Sequence, residues 1–273
     1  MEINLCKWMK ELNGSKPVFQ YNLVGTHDSV TQYVQFSFDT KCQDRNIYDQ
    51  LCLGVRMLDI RVESKGEKLK LVHAFAKVFN TPNHFGKQMD MTDVLNHCYR
   101  FLAENPSETV IFQFKNDDNK ENEKCFNNLF YTYIKGNEDK WFLENRVPSL
   151  DEARGKLILV RRCKMENREE FTEKNTGIDF SRWAEQDALE PIPLPLETGG
   201  ENNVTFIIFD RYMYKPVPRW NNCIKPFLDE AKPFAREYIL NYLSTAGGIK
   251  GPYRNAKYIN QQFLNYPMNK ENY

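Results

Sequence analysis

Seven short apolar runs, each about the length of a β-strand, constrain the fold more than any other feature of this sequence. Most are nearly continuous hydrophobic strings rather than alternations of apolar and polar residues, which is typical of parallel strands buried on both faces. The runs are FQYNLVG, GVRMLDIRV, KLKLVHA, TVIFQFK, KLILVRR, VTFIIFDRY and YILNYLS. We therefore expect an α/β protein built on a largely parallel sheet.

A helix is predicted between the third and fourth runs, in the segment MTDVLNHCYRFLAENP. Thr92 or Asp93 can cap its start, and Pro106 follows its end. Its apolar side chains recur at helical spacing, at Val94, Leu95, Cys98, Phe101 and Leu102. The segment predicts a strand–helix–strand unit, which requires a right-handed crossover.

The chain length favours a barrel. A chain of 273 residues suits a single (β/α) barrel, and no glycine-rich nucleotide fingerprint supports a Rossmann sheet. No internal repeat or clear boundary divides residues 1–273, so we expect one domain. The segment ALEPIPLPLETGGENN, between the fifth and sixth runs, is predicted to be a surface loop.

Charge and cysteine content exclude several classes of protein. Lys plus Arg and Asp plus Glu number 37 each, so no basic excess indicates a nucleic-acid partner. The start MEINLCKWMKELNG has no apolar core of a signal peptide, and no stretch of 18 apolar residues occurs. The seven cysteines include no C-x-x-C pair. We expect a reduced, cytoplasmic chain whose thiols are structural.

Ionisable residues at the ends of six successive runs are the informative functional feature. In a barrel the carboxyl ends of the strands converge on one face, where active sites lie. Each residue alone has an ordinary reading as a helix cap or a solvated charge, but six strands in succession favour a functional cluster. The residues are His27 and Asp28; Asp59 and Arg61; His73; Lys115, Asp117 and Asp118; Arg161 and Arg162; and Asp210, Arg211 and Tyr212.

These residue types indicate acid–base chemistry on a phosphate. Two histidines can serve as base and acid in one displacement. Arg61, Lys115 and Arg162 are donors suited to a phosphate anion, and Asp210 and Tyr212 can bind hydroxyls. No group has the ligand density of a metal site, so we expect neither a metal nor a cofactor. The residues thus favour metal-independent cleavage of a phosphodiester attached to a polyhydroxyl group.

Several motifs resemble the X region of phosphatidylinositol-specific phospholipase C, in its small, bacterial-type, metal-independent branch. They are GTHDSVTQ, GVRMLDIRV, LKLVHA and NPSETVIFQFK, followed by DEARGKLILVRR, FDRY, YILNYLSTAGG and GPYRNAKYINQQFLNY. The resemblance runs in order through nearly the whole chain. It implies an irregular TIM-like barrel and attack of the inositol 2-hydroxyl on phosphorus, which releases diacylglycerol and inositol 1,2-cyclic phosphate.

The resemblance also implies roles for individual residues. His27 matches the general base, His73 the general acid, and Asp28 the carboxylate that orients this acid. Arg61 matches the cation on the phosphate oxygens, where the large signalling enzymes carry a calcium-ligating acid, so no calcium requirement is expected. The residues that match inositol-contacting positions are Lys115, Arg162, Asp210 and Tyr212; Arg162 rather than Arg161 is the preferred alignment.

One departure concerns the orienting partner of His27. In the bacterial enzymes an eighth strand carries an Asp that holds the base histidine in its tautomer. Here the sequence ends at LNYPMNKENY, where that strand would begin. Loss of such a carboxylate costs several orders of magnitude in the serine protease triad. The alternatives are a truncated chain, a substitute carboxylate or weak activity.

Membrane contact is expected to be peripheral, through the loops at the mouth of the barrel. The resemblance implies phosphatidylinositol in a bilayer as the partner of a monomer, with transient membrane association. Aromatic residues in these loops suit a lipid interface, among them Phe75, Phe79 and Trp220. Packing of these rings beneath the loops is the ordinary alternative.

Two other functions remain open from the sequence. A catalytically impaired module that binds phosphoinositide or lipid on the same fold is motivated by the missing carboxylate. A metal-dependent phosphodiesterase using Asp28 and Asp59 is the other, and the positive charge of Arg61 argues against it.

Overall fold

The computed structural model describes residues 3–117, 123–164, 169–230, 237–249 and 251–267, with the side chains of 123–127 excepted. Asp118 lies outside the described residues. The strands are β1 Gly25–Thr26, β2 Met57–Lys65, β3 Lys68–His73, β4 Ala76–Lys77, β5 Val110–Asn116, β6 Trp141–Phe142, β7 Leu157–Arg161, β8 Ile178–Asp179, β9 Leu194–Glu197, β10 Thr205–Phe209 and β11 Glu237–Asn241.

Short helices connect most of these strands. The α-helices are α1 Ser37–Thr40, α2 Ile47–Cys52, α3 Met91–Glu104, α4 Glu123–Ile134, α5 Leu150–Ala153, α6 Pro216–Pro218, α7 Lys225–Glu230 and α8 Gly251–Leu264. Single 3₁₀ segments are Leu5–Glu11, Val18–Gln20, Thr31–Tyr33 and Glu138–Lys140, and a π-helical segment, Arg219–Ile224, joins α6 to α7.

The strands form two sheets around a common core. In the larger sheet the order is β4-β3-β2-β5-β7-β6, with β1 added beside β2 and β8 beside β7. The pairings among β1, β2, β5, β7 and β8 are all parallel. In the smaller sheet β10 pairs parallel with β11 and antiparallel with β9. Phe206 and Ile208 of β10 share one hydrophobic cluster with Ile111 and Val160 of the larger sheet, so both sheets enclose the same interior.

Alternation along β2 and β5 divides each strand into an outer and an inner face. Leu58, Ile60 and Val62 pack outward with residues of α2, α3 and α4. The intervening residues of β2 point inward, and Asp59 pairs in register with Gln113 and Arg61 with Lys115. The inner face is therefore polar toward the carboxyl ends of the strands, as the sequence predicted.

The third apolar run departs from the predicted parallel arrangement. Strand β3 is antiparallel to β2, with Val62 opposite Leu71 and Lys65 opposite Lys68. Strand β2 extends beyond the site, and β3 brings the chain back, so His73 returns to within contact of Asp28. The strand–helix–strand unit is therefore completed by β2 and β5, with the hairpin and α3 between them.

The first apolar run forms much less strand than predicted. Only Gly25–Thr26 pairs with β2, and Val18–Gln20 is a 3₁₀ turn after Pro17. Packing explains the difference, because the ring of Phe19 lies 5.0 Å from that of Phe206, edge to face. The segment fills the interior instead of extending a sheet.

Two further local predictions need correction. The predicted surface loop contains β9, whose Pro195 lies on an edge strand, where its missing N–H costs no pairing. Helix α3 is capped by Asp90, not by Thr92 or Asp93; the Asp93 carboxylate accepts a hydrogen bond of 2.9 Å from the Asp90 N–H. The predicted apolar face of α3 is buried as expected.

The six described cysteines are free thiols; the side chain of Cys125 lies outside the described residues. None of the helices that the structure describes is long and apolar enough to cross a membrane.

A buried ion pair closes the amino-terminal end of the interior. Arg56, just before β2, and Glu108, just before β5, are both completely buried, and Arg56 Nη2 lies 2.7 Å from Glu108 Oε2. Arg56 also donates to the carbonyls of Leu51 and Val55, and the same carboxylate accepts from the Met9 N–H at 3.1 Å. The pair thus joins the amino-terminal segment to the two central strands.

We expect Arg56→Met to lower the free energy of unfolding by about 3–5 kcal/mol, because it leaves a buried carboxylate without its partner. Urea unfolding would measure the loss. The matched control is Arg100→Met, which removes an exposed ion pair with Glu104 and should change stability little. Equal effects of the two substitutions would contradict the assignment.

Candidate functional site

Hydrogen bonds rather than strand length hold the turn that carries His27. The Ser29 N–H donates to the Asp59 carbonyl at 3.0 Å, and the Asp59 N–H donates to Ser29 Oγ at 2.9 Å. The Thr31 hydroxyl donates to the Asp28 carbonyl at 2.8 Å. Asp28 has a φ of +43°, in the left-handed region that Asp tolerates better than most residues. The turn therefore presents His27 and Asp28 at a fixed position beside β2.

Both ring nitrogens of His27 meet carboxylates. Nδ1 lies 3.0 Å from Asp59 Oδ2, and Nε2 lies 2.9 Å from Asp28 Oδ2. Asp28 and Asp59 are almost completely buried, whereas the His27 side chain keeps 28% of its exposure. The resemblance assigns Asp28 to His73, but the structure also places Asp28 in direct contact with His27.

The second histidine meets the same carboxylate oxygen. His73 Nε2 lies 3.2 Å from Asp28 Oδ2, and Nδ1 lies 2.6 Å from the carbonyl oxygen of Thr40 at the end of α1. A carbonyl only accepts, so Nδ1 carries a proton, and a second proton on Nε2 would point at Asp28. The two imidazole rings lie 6.2 Å apart, centroid to centroid, on either side of this carboxylate.

Arg61 is the central cation of the cluster. Its Nε lies 3.0 Å from Asp28 Oδ1 and its Nη2 lies 3.2 Å from Asp59 Oδ2. Its Nη1 lies 3.7 Å from Asp117 Oδ2, and Lys115 Nζ lies 3.3 Å from Asp117 Oδ1. Asp117 thus joins the two cations that the strand register places side by side.

The surrounding charges determine the protonation of these groups. Burial alone would lower the pKa of His27, but the charge of Asp28 and hydrogen bonds with Asp28 and Asp59 raise it to about 10. Burial would raise the pKa of Asp28, but the charges of Arg61 and the histidines lower it to about 2. Burial would also raise the pKa of Asp59, which Arg61 and His27 instead hold well below its usual value. At neutral pH His27 is therefore an imidazolium between two carboxylates.

The two arginines at the end of β7 have different environments. Arg161 donates to the carbonyls of Thr176 and Cys163 and pairs with Asp179 at 3.0 Å, so it is a structural residue. The Arg162 guanidinium stacks 3.8 Å from the ring centre of Trp183, and its Nε and Nη1 make no hydrogen bond within the described part of the chain. Arg162 is therefore the arginine with donors available toward the interior.

The remaining predicted residues follow β10. Burial raises the pKa of the Asp210 carboxyl, although the charges of His27 and Arg162 act in the opposite direction. Burial and a hydrogen bond with Glu185 raise the pKa of the Tyr212 hydroxyl. The structure brings Asp210 within electrostatic reach of the histidine cluster and places Tyr212 next to Glu185.

Sequence reasoning missed the contacts behind Asp59. Gln113 Nε2 donates to Asp59 Oδ1 at 3.1 Å and lies 2.8 Å from the Tyr242 hydroxyl, which itself reaches Gln113 Oε1 at 3.1 Å. The Tyr242 ring stands nearly perpendicular to that of His27, 6.3 Å away between centroids. Gln113 lies directly opposite Asp59 in the parallel register, a signal that the paired sequences contain but that residue type alone does not reveal.

Three groups could in principle meet a metal ion. His27, Asp28 and Cys42 each bring one ligand atom within 4.8 Å of the others. Arg61 already pairs with Asp28, however, and its fixed positive charge disfavours a cation at the same place. Burial and the charge of Asp28 also raise the pKa of the Cys42 thiol, which disfavours the thiolate. We therefore assign none of the three as a metal ligand.

The three aromatic residues predicted to contact membrane have different environments. Phe75 is exposed beyond His73, and Phe79 is half-buried against His84. Trp220 is buried in a cluster with Ile224, so its predicted contact with lipid is wrong. Phe36 and Phe38 are also exposed, and the Phe36 ring lies 5.7 Å from that of Phe75.

A family model and several curated relatives match the chain. The model of the family described as "Phosphatidylinositol-specific phospholipase C, X domain" matches residues 15–163. A 1-phosphatidylinositol phosphodiesterase of Staphylococcus aureus is 26% identical over 271 residues, which cover 93% of this chain and 81% of that protein. A 1-phosphatidylinositol phosphodiesterase of Listeria monocytogenes is 24% identical over 168 residues, covering 56% of this chain and 48% of that protein.

Solved structures give the same fold. Phosphatidylinositol-specific phospholipase C of S. aureus superposes with a TM-score of 0.77 at 22% identity, covering 96% of this chain and 86% of that one. The enzyme of L. monocytogenes superposes with a TM-score of 0.73 at 20% identity, covering 96% and 87%. The predicted irregular TIM-like barrel is thereby confirmed as the fold class, although no strand pairing closes it among the described residues. This chain belongs to the phosphatidylinositol-specific phospholipase C X-domain family.

Proposed function

We propose that this protein cleaves phosphatidylinositol to diacylglycerol and inositol 1,2-cyclic phosphate without a metal ion. The 2-hydroxyl oxygen attacks phosphorus while the bond from phosphorus to the glycerol oxygen breaks. The proton of the 2-hydroxyl passes to His27, and His73 gives a proton to the departing glycerol oxygen. Base and acid each contribute typically 10²–10⁴-fold in such reactions.

The shared carboxylate is the observation that carries this proposal. Two histidines meet one oxygen of Asp28 from opposite sides, at 2.9 and 3.2 Å, beside an arginine. A phosphodiester that enters between the rings meets a proton acceptor on one side and a donor on the other. Asp28 then keeps a charge partner, Arg61, whichever histidine it releases.

Stabilisation of charge on phosphorus is assigned to Arg61. Its guanidinium contacts the carboxylates of Asp28, Asp59 and Asp117, so its position is fixed before substrate arrives. Donors held in advance where negative charge develops are typically the largest single contribution to catalysis. This fixed cation supports cleavage without calcium.

Recognition of the inositol ring is assigned to the opposite side of the site. Arg162 offers two buried guanidinium nitrogens, Nε and Nη1, and lies over the ring of Trp183. Lys115, Asp210 and Tyr212 complete the set that we propose to contact ring hydroxyls. Together they suit a flat polyhydroxyl ring attached to an anion.

The alternative of an impaired binding module was motivated by the lack of an orienting carboxylate for His27. Asp59 lies 3.0 Å from Nδ1 of this histidine, which favours a competent base. Activity therefore has the stronger support.

Phosphorus NMR of phosphatidylinositol vesicles treated with the protein in EDTA tests the function. We expect the signal of the five-membered cyclic phosphate to appear. His27→Ala and His73→Ala should each lower turnover by about 10²–10⁴-fold, since each removes one proton-transfer group. His97→Ala, a half-buried histidine on α3, is the matched control and should retain activity. A folded preparation that forms no cyclic product, or activity that needs a divalent ion, would overturn the proposal.

The rate should depend on pH through His27. A general base acts only when neutral, and the pKa of His27 is raised from 6.5 to about 10. The neutral fraction of His27 therefore grows as the pH rises toward about 10, and kcat/KM should rise with it. Asp28→Asn removes the charge that raises this pKa, so the rising limb should move to lower pH. A wild-type limb at or below pH 6.5 would contradict the assignment.

Membrane contact is proposed for a patch formed by Phe36, Phe38 and Phe75, which we call the aromatic rim. All three rings are more than half exposed, and the rim adjoins the site because Phe75 follows His73 by two residues. The Arg254 guanidinium lies 5.9 Å from the Phe38 ring and adds a positive charge that suits an anionic bilayer.

Replacing Phe36 and Phe75 together with Ser should weaken binding to vesicles at least about tenfold, since burial of one Phe is worth about 1.5–3 kcal/mol. Co-sedimentation with phosphatidylcholine vesicles, with and without phosphatidylinositol, measures the change. The control is Leu53→Ser, an exposed apolar residue before the amino-terminal end of β2. An equal loss from the control would reject the aromatic rim.

A further inference from the structure

We propose that Asp59 is the positioning residue of the general base in this protein: its carboxylate holds the proton of His27 on Nδ1, so that Nε2 is the atom that takes the substrate proton once the substrate replaces Asp28 there. This inference rests on the proposed function. It assigns to β2 a task that the resemblance places on a strand near the end of the chain.

Geometry distinguishes Asp59 from the other carboxylates near His27. Asp59 Oδ2 lies 3.0 Å from Nδ1, within hydrogen-bond distance. Asp28 is bound at Nε2, on the side of His73, where the phosphodiester must enter. Asp210 follows β10, and burial raises its pKa, so it is the least readily ionised of the three carboxyls. Of these three carboxylates, Asp59 is the one that meets Nδ1, the ring nitrogen not bound by Asp28.

The Asp59 carboxylate is itself immobilised. Gln113 donates to Oδ1 at 3.1 Å, Arg61 contacts Oδ2 at 3.2 Å, and the Asp28 N–H approaches the same oxygen at 3.4 Å. Tyr242 holds the Gln113 amide from behind. An oriented carboxylate on an imidazole Nδ1–H is what fixes the productive tautomer in hydrolases with a histidine base.

The backbone fixes the distance between the two partners. Asp59 and Ser29 exchange two hydrogen bonds, and Ser29 lies two residues beyond His27 in the same turn. The strand that carries the carboxylate therefore also anchors the turn that carries the base.

Many charged groups surround His27, so its titration alone would be ambiguous. On its own turn lies Asp28, on β2 Asp59 and Arg61, and at the end of β3 His73; the others are Cys42 after α1, Arg162 after β7, Asp210 after β10 and Tyr242 after β11. Of these, Asp59 alone contacts Nδ1, so the tautomer of the neutral ring reports on it specifically.

The experiment is nitrogen NMR of ¹⁵N-histidine-labelled protein across pH, combined with kinetics. The chain has four histidines, and the nitrogen signals of His27 are those that disappear in the His27→Gln variant. In the wild type we expect the neutral His27 ring to keep its proton on Nδ1. Asp59→Asn should lower the pKa of His27, mix the tautomers and reduce kcat by about 10²–10⁴-fold, with KM little changed. Asp59→Glu, which keeps a carboxylate, should recover part of the rate.

Asp229→Asn, which removes an exposed carboxylate on α7, is the matched control and should change neither the tautomer nor the rate. A rise in KM alone after Asp59→Asn would show that Asp59 acts only through Arg61 and would overturn the proposal. An unchanged tautomer would overturn it as well. If Asp59→Asn does not fold, the wild type alone still tests the proposal: a neutral His27 ring protonated on Nε2 would overturn it. Because the NMR arm needs no turnover, an inactive wild type would reject the proposed function and leave the Asp59 contact to be judged separately.

Discussion

The parallel register between β2 and β5 is the constraint on which the site depends. It sets Asp59 opposite Gln113 and Arg61 opposite Lys115 on the inner face. Because side chains alternate, a shift of β2 by one residue would turn Asp59 and Arg61 outward and bring Ile60 inward, while Gln113 and Lys115 of β5 would keep their places. The apolar residues of the outer face, packed beneath α2 and α3, make that shift costly. Hydrophobic packing on one side of the sheet therefore fixes the positions of charges on the other.

The charges of the site stabilise one another before any ligand is bound. Asp28 and Asp59 would each be costly to bury alone, yet both contact His27 and Arg61. Buried charges persist in proteins when they are paired and hydrogen-bonded. A phosphodiester adds one negative charge to this set. His27 therefore releases its proton more readily only if the substrate replaces one of its two carboxylate contacts. Arg61 remains as the fixed positive charge throughout.

Much of this arrangement could be predicted from the sequence, because ionisable residues at the ends of apolar runs must converge in a parallel sheet. The class of fold and the family follow from those runs and from motifs around His27 and His73. The antiparallel course of β3 could not be predicted, since an apolar run carries no direction. The short β1 was also missed, because the apolar side chains near Phe19 fill the interior and look the same in sequence as strand residues. The partner of Nδ1 was sought in a distant strand, although Asp59 lies two residues before Arg61; only the bonds between Asp59 and Ser29 bring it to the base.

The β2–β3 hairpin has a consequence for how sequences of this kind can diverge. His73 reaches the site because β3 retraces β2 from a tip beyond Lys65 and Lys68, with Val62 opposite Leu71. Adding or removing one residue in each strand at the tip leaves every pair below it in register. A change of one residue in a single strand instead moves the acid histidine along β2 and reverses its face. Evolution is therefore free to vary the length of this hairpin in steps of two residues, and insertions or deletions of odd length within the paired strands are the ones that selection should remove.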